Sequence, residues 1–118
     1  MKEITTSEST KITFTEAGLS KITNAVNLLL AKWEVSEEQK SMLIGDITSS
    51  ERQLRLSLLL NIHEELRSLF SNSANYYGFM NMLNHNEPFN GSRPIDLACK
   101  NLEGLKHTYA ALSNIGGL

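Results

Sequence analysis

Apolar residues recur along this chain with the spacing of amphipathic helices. Between positions 22 and 33 they lie three and four residues apart, which places them on one face of a helix. They are Ile22, Ala25, Val26, Leu29, Leu30 and Trp33. The pattern predicts a first helix that ends near Trp33. It begins at the capping box Thr13-Phe14-Thr15-Glu16, in which residues 13 and 16 bond each other's backbone amides.

Two more capping boxes predict the next two helices. Ser36-Glu37-Glu38-Gln39 starts a short helix that stops near Gly45, and Thr48-Ser49-Ser50-Glu51 starts the longest one. The predicted buried face of the long helix consists of Leu58, Leu59, Ile62, Leu66, Leu69 and Phe70. Its predicted polar face consists of Arg52, Arg55, Glu64, Glu65 and Arg67.

The C-terminal part of the chain predicts shorter helices around an unusual connector, "LNHNEPFNGSRPIDL" at 83–97. Before it, a helix is predicted through Tyr77, Phe79, Met80 and Met82. After it, Pro94 suits the first position of a helix, and Asn101 is the predicted cap of the last one. That helix carries Leu105, Tyr109 and Leu112 and ends at Gly116-Gly117. No segment predicts a strand, so we expect an all-α, single compact domain of five to six helices.

Composition narrows the functional classes. The chain has 118 residues, 41% of them hydrophobic, enough for one domain with a modest core. It has no apolar run long enough for a membrane span, no signal peptide and a single cysteine, which together predict a cytoplasmic protein. The net charge is −2 and the pI is about 5.9, whereas a compact DNA-binding domain usually carries a basic excess.

Candidate chemistry is sparse, and the sequence predicts no enzyme, cofactor or metal site. His63-Glu64 begins like a zinc-protease motif, but the second histidine of that motif is replaced by Arg67. Cys99 follows Leu97 and Ala98 and is interpreted as a small core residue rather than a nucleophile.

The middle of the chain has the outline of a helix-turn-helix, because a short helix at 37–44 is followed by Gly45 and another helix. Arg52, Gln53 and Arg55 are then the candidate DNA contacts. The simpler interpretation is a solvated helix face with scattered arginines. The acidic pI, the nearby Glu51 and the lack of a separate short recognition helix favour that interpretation.

Three segments resemble the MbcA/ParS/Xre antitoxin family. They are the Leu-rich helix from Leu56 to Phe70, the connector, and the ending from Gly104-Leu105 to Gly116-Gly117. In the connector, the loop motif comprises Asn84, Phe89, Asn90, Gly91 and Pro94. The resemblance covers residues 52–118 and is weaker over 20–48. The chain differs from the family in having Phe79 where a tryptophan is usual, and in a shortened helix-turn-helix.

The resemblance implies an antitoxin of a bacterial type II toxin–antitoxin system. Such antitoxins bind RES-domain toxins, which destroy NAD, and many also repress their own operon through a helix-turn-helix. The resemblance implies that residues 13–50 are a degenerate Xre-like region with a shortened helix-turn-helix-like unit and that residues 51–118 are the toxin-binding domain. Residues 1–12, rich in Thr, Ser, Lys and Glu, are predicted to be a flexible arm. A DNA-binding repressor that acts on operator DNA is the alternative function.

The resemblance also implies that the C-terminal end blocks the entrance of the toxin's active site. The implied toxin contacts are Arg93, Asn114, Ile115, Gly116, Gly117 and Leu118. The simpler interpretation of the end is a helix cap with a frayed terminus. Arg93 is equally suited to pairing with an acidic group of the partner and to bonding nearby helix carbonyls. The apolar helix at 51–70 has enough hydrophobic surface for a core or for the seam of a homo-oligomer.

Overall fold

The computed structural model describes residues 16–45 and 51–116, and 78% of these residues are helical. The six helices are α1 (Glu16–Lys32), α2 (Glu37–Ile44), α3 (Glu51–Leu69), α4 (Ser73–Gly78), α5 (Pro94–Lys100) and α6 (Leu102–Gly116). The predicted all-α fold with five to six helices is confirmed. The predicted arm at 1–12, residues 13–15 and 48–50 of two capping boxes, and Gly117-Leu118 lie outside the described residues.

Side-chain caps set the helix ends that the sequence predicted. Ser36 Oγ accepts a bond from the Gln39 backbone N–H at 3.0 Å, and Gln39 Oε1 accepts one from the Ser36 N–H at 2.9 Å. The helix that they start ends at Gly45, whose φ of +81° favours glycine. Pro94 opens α5, and Asn101 Oδ1 accepts the Gly104 N–H at 2.8 Å to cap α6.

One hydrophobic core joins helices from both halves of the chain. The buried cluster consists of Val26, Leu29, Leu30, Trp33, Leu43, Ile44, Leu56, Leu58, Leu59, Ile62, Leu66, Met80, Ile95, Ala98, Leu105 and Leu112. Most of the predicted buried positions lie in it, but Ala25 is exposed and Leu56 joins the core unpredicted. Residues from the 13–50 and 51–118 regions therefore share one core, and the boundary between these regions stays a prediction.

The predicted helix through Met82 is wrong in its second half. Helix α4 ends at Gly78, and a 3-10 turn at Phe79–Asn81 follows it. The tighter turn lets Met80 enter the core while the neighbouring Asn81 Nδ2 donates to the Trp33 carbonyl at 2.7 Å. These two tertiary contacts override the helical pattern, and Met82 is left 62% exposed.

Helices α5 and α6 approach each other closely at Gly104. A Cβ at this position would overlap the backbone carbonyl oxygen of Leu97, so no side chain fits. One turn later, the fully buried Thr108 donates its hydroxyl to the Gly104 carbonyl at 2.8 Å. The sequence pattern did not predict that a threonine would lie in this interface. Its hydroxyl is satisfied within its own helix, which removes the cost of burying it.

An aromatic cluster attaches α4 to α3. The His63 ring stacks on Tyr77 with 5.6 Å between centroids, and Tyr76 packs edge-on to Tyr77 at 4.8 Å. Lys32 Nζ of α1 lies 5.6 Å from the centroid of the Tyr77 ring. His63 Nδ1 is buried and has no hydrogen-bond partner among the described residues. Burial, and secondly Arg67, lower the pKa of His63, whereas Glu64 raises it, and the net shift is downward.

We expect Gly104→Ala to destabilise the fold by about 3 kcal/mol, because α6 must move away from the Leu97 carbonyl. Urea unfolding measures the change. Gly78→Ala is the matched control: nothing lies within 4 Å of an added Cβ there, so the helix-forming preference of alanine should leave stability equal or slightly higher. Equal losses in the two variants would contradict the close approach.

We expect the free energy of unfolding to fall as the pH drops below 6.5, the ordinary pKa of histidine. The fall continues down to the pKa of His63 in the folded protein, which is lower. In this window the unfolded chain binds the proton more readily than the folded chain. Above this pH window the His63 ring is neutral in both states and contributes fully to the free energy of unfolding. Urea unfolding at about pH 7.5 and about pH 5.5 measures the loss, and His63→Phe, which keeps an aromatic ring without the titration, should reduce the difference. An unchanged difference would refute the assignment to His63.

Candidate partner-binding surface

The connector between the 3-10 turn and α5 folds into a closed loop. The Asn84 N–H donates to the Ser92 carbonyl at 3.0 Å, and the Gly91 N–H donates to the Asn84 carbonyl at 2.7 Å. Asn84 Oδ1 accepts the Asn86 N–H at 2.9 Å. At the tip Asn90 has φ +52° and Gly91 φ +94°, a left-handed turn that these two residue types tolerate best. The loop motif residues thus determine the shape of the loop.

Aromatic rings anchor this loop to the helices. Phe89 is only 4% exposed, and its ring meets Phe79 edge-on at 6.5 Å between centroids. The Phe79 ring in turn lies 5.9 Å from Phe70 at the end of α3. Ser92 Oγ donates to the Phe89 carbonyl at 2.7 Å and holds the backbone around the anchor. The loop is consequently attached to α3 through three phenylalanines.

A cleft of about 570 Å³ separates this loop from the C-terminal half of α6. The loop wall is formed by Asn84, Asn86, Glu87, Pro88 and Phe89. The helix wall is formed by His107, Ala110, Ala111, Asn114 and Ile115. The fold therefore brings the loop motif next to Asn114 and Ile115, two of the predicted contact residues from the chain's end.

A second depression adjoins the cleft at the start of the loop. Its lining includes Met82 and Leu83, which are 62% and 65% exposed, and it shares Asn84 and Asn86 with the cleft. We call the two depressions together the loop–α6 surface; it comprises Met82, Leu83, Asn84, Asn86, Ala111, Asn114 and Ile115. The sequence pattern assigned Met82 to the helix before the connector and Leu83 to the start of the connector.

The loop–α6 surface and its margins carry little charge. Among the described residues that line the two depressions, Glu87 is the only acidic one, and none is a lysine or an arginine. The side chains of Asn86 and Asn114 make no hydrogen bond within the described chain, so their amide groups face solvent. Apolar side chains interspersed with amides suit a largely uncharged partner segment, because few charges have to be desolvated.

Arg93 does not line this surface. Its Nη2 donates to Asp96 Oδ1 at 3.0 Å and its Nε to Asp96 Oδ2 at 3.3 Å, within the first turn of α5. Of the two interpretations of Arg93, the bond to helix carbonyls is replaced by a bond to a carboxylate of its own helix, and the contact with a partner stays a prediction. Both side chains remain over 40% exposed, so the pair is a surface ion pair of small energetic value.

Of the candidate DNA contacts, Arg55 makes hydrogen bonds within the folded protein. Its Nη1 donates to the carbonyls of Met42 at 3.0 Å and Leu43 at 3.4 Å, and its side chain is only 12% exposed. It thereby satisfies carbonyls at the C-terminus of α2, where a cation is favoured. This geometry corrects its placement on the polar face. Arg52 and Gln53 lie on the first turn of α3, half-buried and without such bonds.

Cys99, outside this surface, carries the one thiol of the sequence. Burial, with a smaller effect of Asp96, raises the pKa of the Cys99 thiol to about 11, so it is protonated at neutral pH. Within 16–45 and 51–116, no group of three acidic, histidine or cysteine side chains is placed to hold a metal ion. None of the helices described has the length and apolar character needed to cross a bilayer.

Comparison of the chain with protein-family models, with curated proteins and with solved structures gives no match. The antitoxin resemblance accordingly rests on the residues quoted above, and the function that it implies is a proposal.

We expect Arg55→Ala to destabilise the protein by about 1–2 kcal/mol, because two carbonyls at the end of α2 lose a charged donor. Arg52→Ala, on the same helix, should change stability by less than about 0.5 kcal/mol. Urea unfolding measures both. Equal small effects would show that Arg55 does not hold α2.

Proposed function

We propose that this protein is the antitoxin of a bacterial type II toxin–antitoxin system and acts in the cytoplasm. It neutralises a RES-domain, NAD-degrading toxin by binding it and covering its active site. The observation that carries the proposal is the loop–α6 surface. It brings together two of the three segments that resemble the antitoxin family, the connector and the ending of the chain.

The support from geometry is that this surface is preformed. The loop is closed by backbone bonds and anchored by Phe89, so binding would order few further groups. Asn114 and Ile115 stand exposed at the end of α6, directly before Gly116, Gly117 and Leu118 in the sequence. A rigid helix therefore leads to the last residues of the chain.

The support from energetics is the exposed apolar area. Met82, Leu83 and Ile115 are each at least half exposed. Covering such side chains stabilises a complex by about 1–2 kcal/mol each. A few such anchors, surrounded by amides that pair with the partner, are typical of a specific interface.

The DNA-binding repressor has less support. Arg55 is occupied by the carbonyls of α2, and the net charge of −2 offers little general attraction to phosphates. Toxin binding is therefore the activity that we propose for this protein.

We expect the neighbouring gene to encode a RES-domain toxin, and co-expression of this chain to restore growth and NAD levels in cells that produce that toxin. Leu83→Asp and Ile115→Asp should each weaken the complex by about 100-fold, because a carboxylate is buried against an apolar contact. Leu28→Asp is the matched control, since Leu28 is 70% exposed on α1 and lies outside the surface. Isothermal titration calorimetry with the purified toxin measures the affinities.

Truncation after Ile115 and Arg93→Ala, made separately, test the remaining predicted contacts. Loss of rescue on truncation with retained binding would support the role of the last residues in covering the active site. A harmless neighbouring gene product, or unchanged binding in both Asp variants, would refute the proposal.

A further inference from the structure

The tip of the loop contains the one asparagine of this chain that is followed by glycine, Asn90-Gly91. Asn90 is exposed, and its φ of +52° places it in the left-handed turn. Gly91 follows with φ +94°. Two properties that make an asparagine chemically labile, an unhindered following residue and an exposed turn, therefore coincide at this position.

The chemistry of such a pair is an intramolecular attack. The backbone nitrogen of Gly91 forms a bond to Cγ of Asn90, the Cγ–Nδ2 bond breaks, and ammonia leaves with the proton of that nitrogen. Water then opens the five-membered imide at one of its two carbonyls. The product is aspartate, or isoaspartate in which the backbone runs through the side-chain carbon. Glycine favours the attack because it has no Cβ to block it.

In the folded loop, both the attacking nitrogen and the leaving amide make hydrogen bonds. The Gly91 N–H donates to the Asn84 carbonyl at 2.7 Å, and the leaving amide Nδ2 of Asn90 donates to the Pro88 carbonyl at 3.3 Å. The nitrogen that must attack is thus held towards Asn84. Ring closure requires the Gly91 bond to open, which ties the rate of the reaction to local opening of the loop.

We propose that Asn90 is a self-modification site that the closed loop protects, and that its conversion to isoaspartate irreversibly opens this loop. The extra backbone atom of isoaspartate displaces the Gly91 nitrogen from Asn84 and breaks the bridge between Asn84 and Ser92. Because the loop forms one wall of the cleft, the change alters the loop–α6 surface. The modification itself does not depend on the proposed antitoxin function.

The test follows the full-length protein during long incubation at neutral to mildly alkaline pH. Peptide mass spectrometry and an isoaspartate assay locate and quantify the product. Conversion should occur at Asn90 about tenfold more slowly in the folded protein than in the urea-unfolded chain, because opening must break at least one hydrogen bond. Asn72-Ser73 and Asn114-Ile115 serve as internal controls and should remain largely intact.

A pair of serine variants tests the protection by the loop. Ser92→Ala removes the 2.7 Å bond to the Phe89 carbonyl without changing Asn90 or Gly91, and should accelerate conversion about threefold. Ser68→Ala removes a comparable bond on α3, to the Glu64 carbonyl, and should leave the rate unchanged. Equal rates in the folded and unfolded chain, equal acceleration by both variants, or an intact Asn90 in the unfolded chain would overturn the proposal.

A last comparison separates the new charge from the new backbone atom. Asn90→Asp adds the charge and loses the exposed Nδ2 bond to the Pro88 carbonyl but adds no backbone atom, so it should unfold at a urea concentration close to that of the unmodified protein. The purified isoaspartate form should unfold at a lower concentration. If Asn90→Asp is destabilised as much as the isoaspartate form, the added charge rather than the backbone insertion opens the loop, and that part of the proposal is wrong.

Discussion

The close approach of α6 to α5 at Gly104 is the constraint on which the other contacts depend. With no Cβ at this position, the backbone of α6 rests against the Leu97 carbonyl, and Leu105 and Leu112 enter the core beside Ile95 and Ala98. The same approach determines where the other side of α6 lies. His107, Ala111 and Asn114 then form a wall opposite the loop. The close approach at Gly104 therefore affects both faces of α6, the one in the core and the one that lines the cleft.

The loop depends on a second, independent anchor. Phe89 is buried against Phe79, and the backbone bonds of Asn84 and Gly91 close the loop around it. Most polar groups of the loop are used to hold its own shape, whereas the apolar Met82 and Leu83 at its start face solvent. In an ordinary connector, polar groups face solvent and apolar side chains are buried. Exposed apolar residues on a rigidly closed loop are a feature of binding surfaces, because rigidity lowers the entropy lost when a partner covers them.

The sequence predicted the helices well where their ends depend on local chemistry. The Ser36 capping box, Gly45, Pro94 and Asn101 each act within a few residues, so their effects can be predicted without knowledge of the fold. Prediction failed where a distant contact decided the outcome. Helix α4 ends early because Asn81 bonds Trp33, far away along the chain, and Arg55 leaves the polar face to bond α2. Neither partner can be identified from the local pattern.

Periodicity and capping were enough to predict the all-α class and the positions of most helix ends, because these signals act within a few residues. The loop motif was identified through its resemblance to the antitoxin family. That the loop lies against the end of α6, and that Met82 and Leu83 are exposed, became known from the tertiary structure. The reason is that a candidate binding surface is made of residues distant in sequence. Their meeting depends on how closely the helices pack, and the missing Cβ at Gly104 is one feature that permits the close packing here.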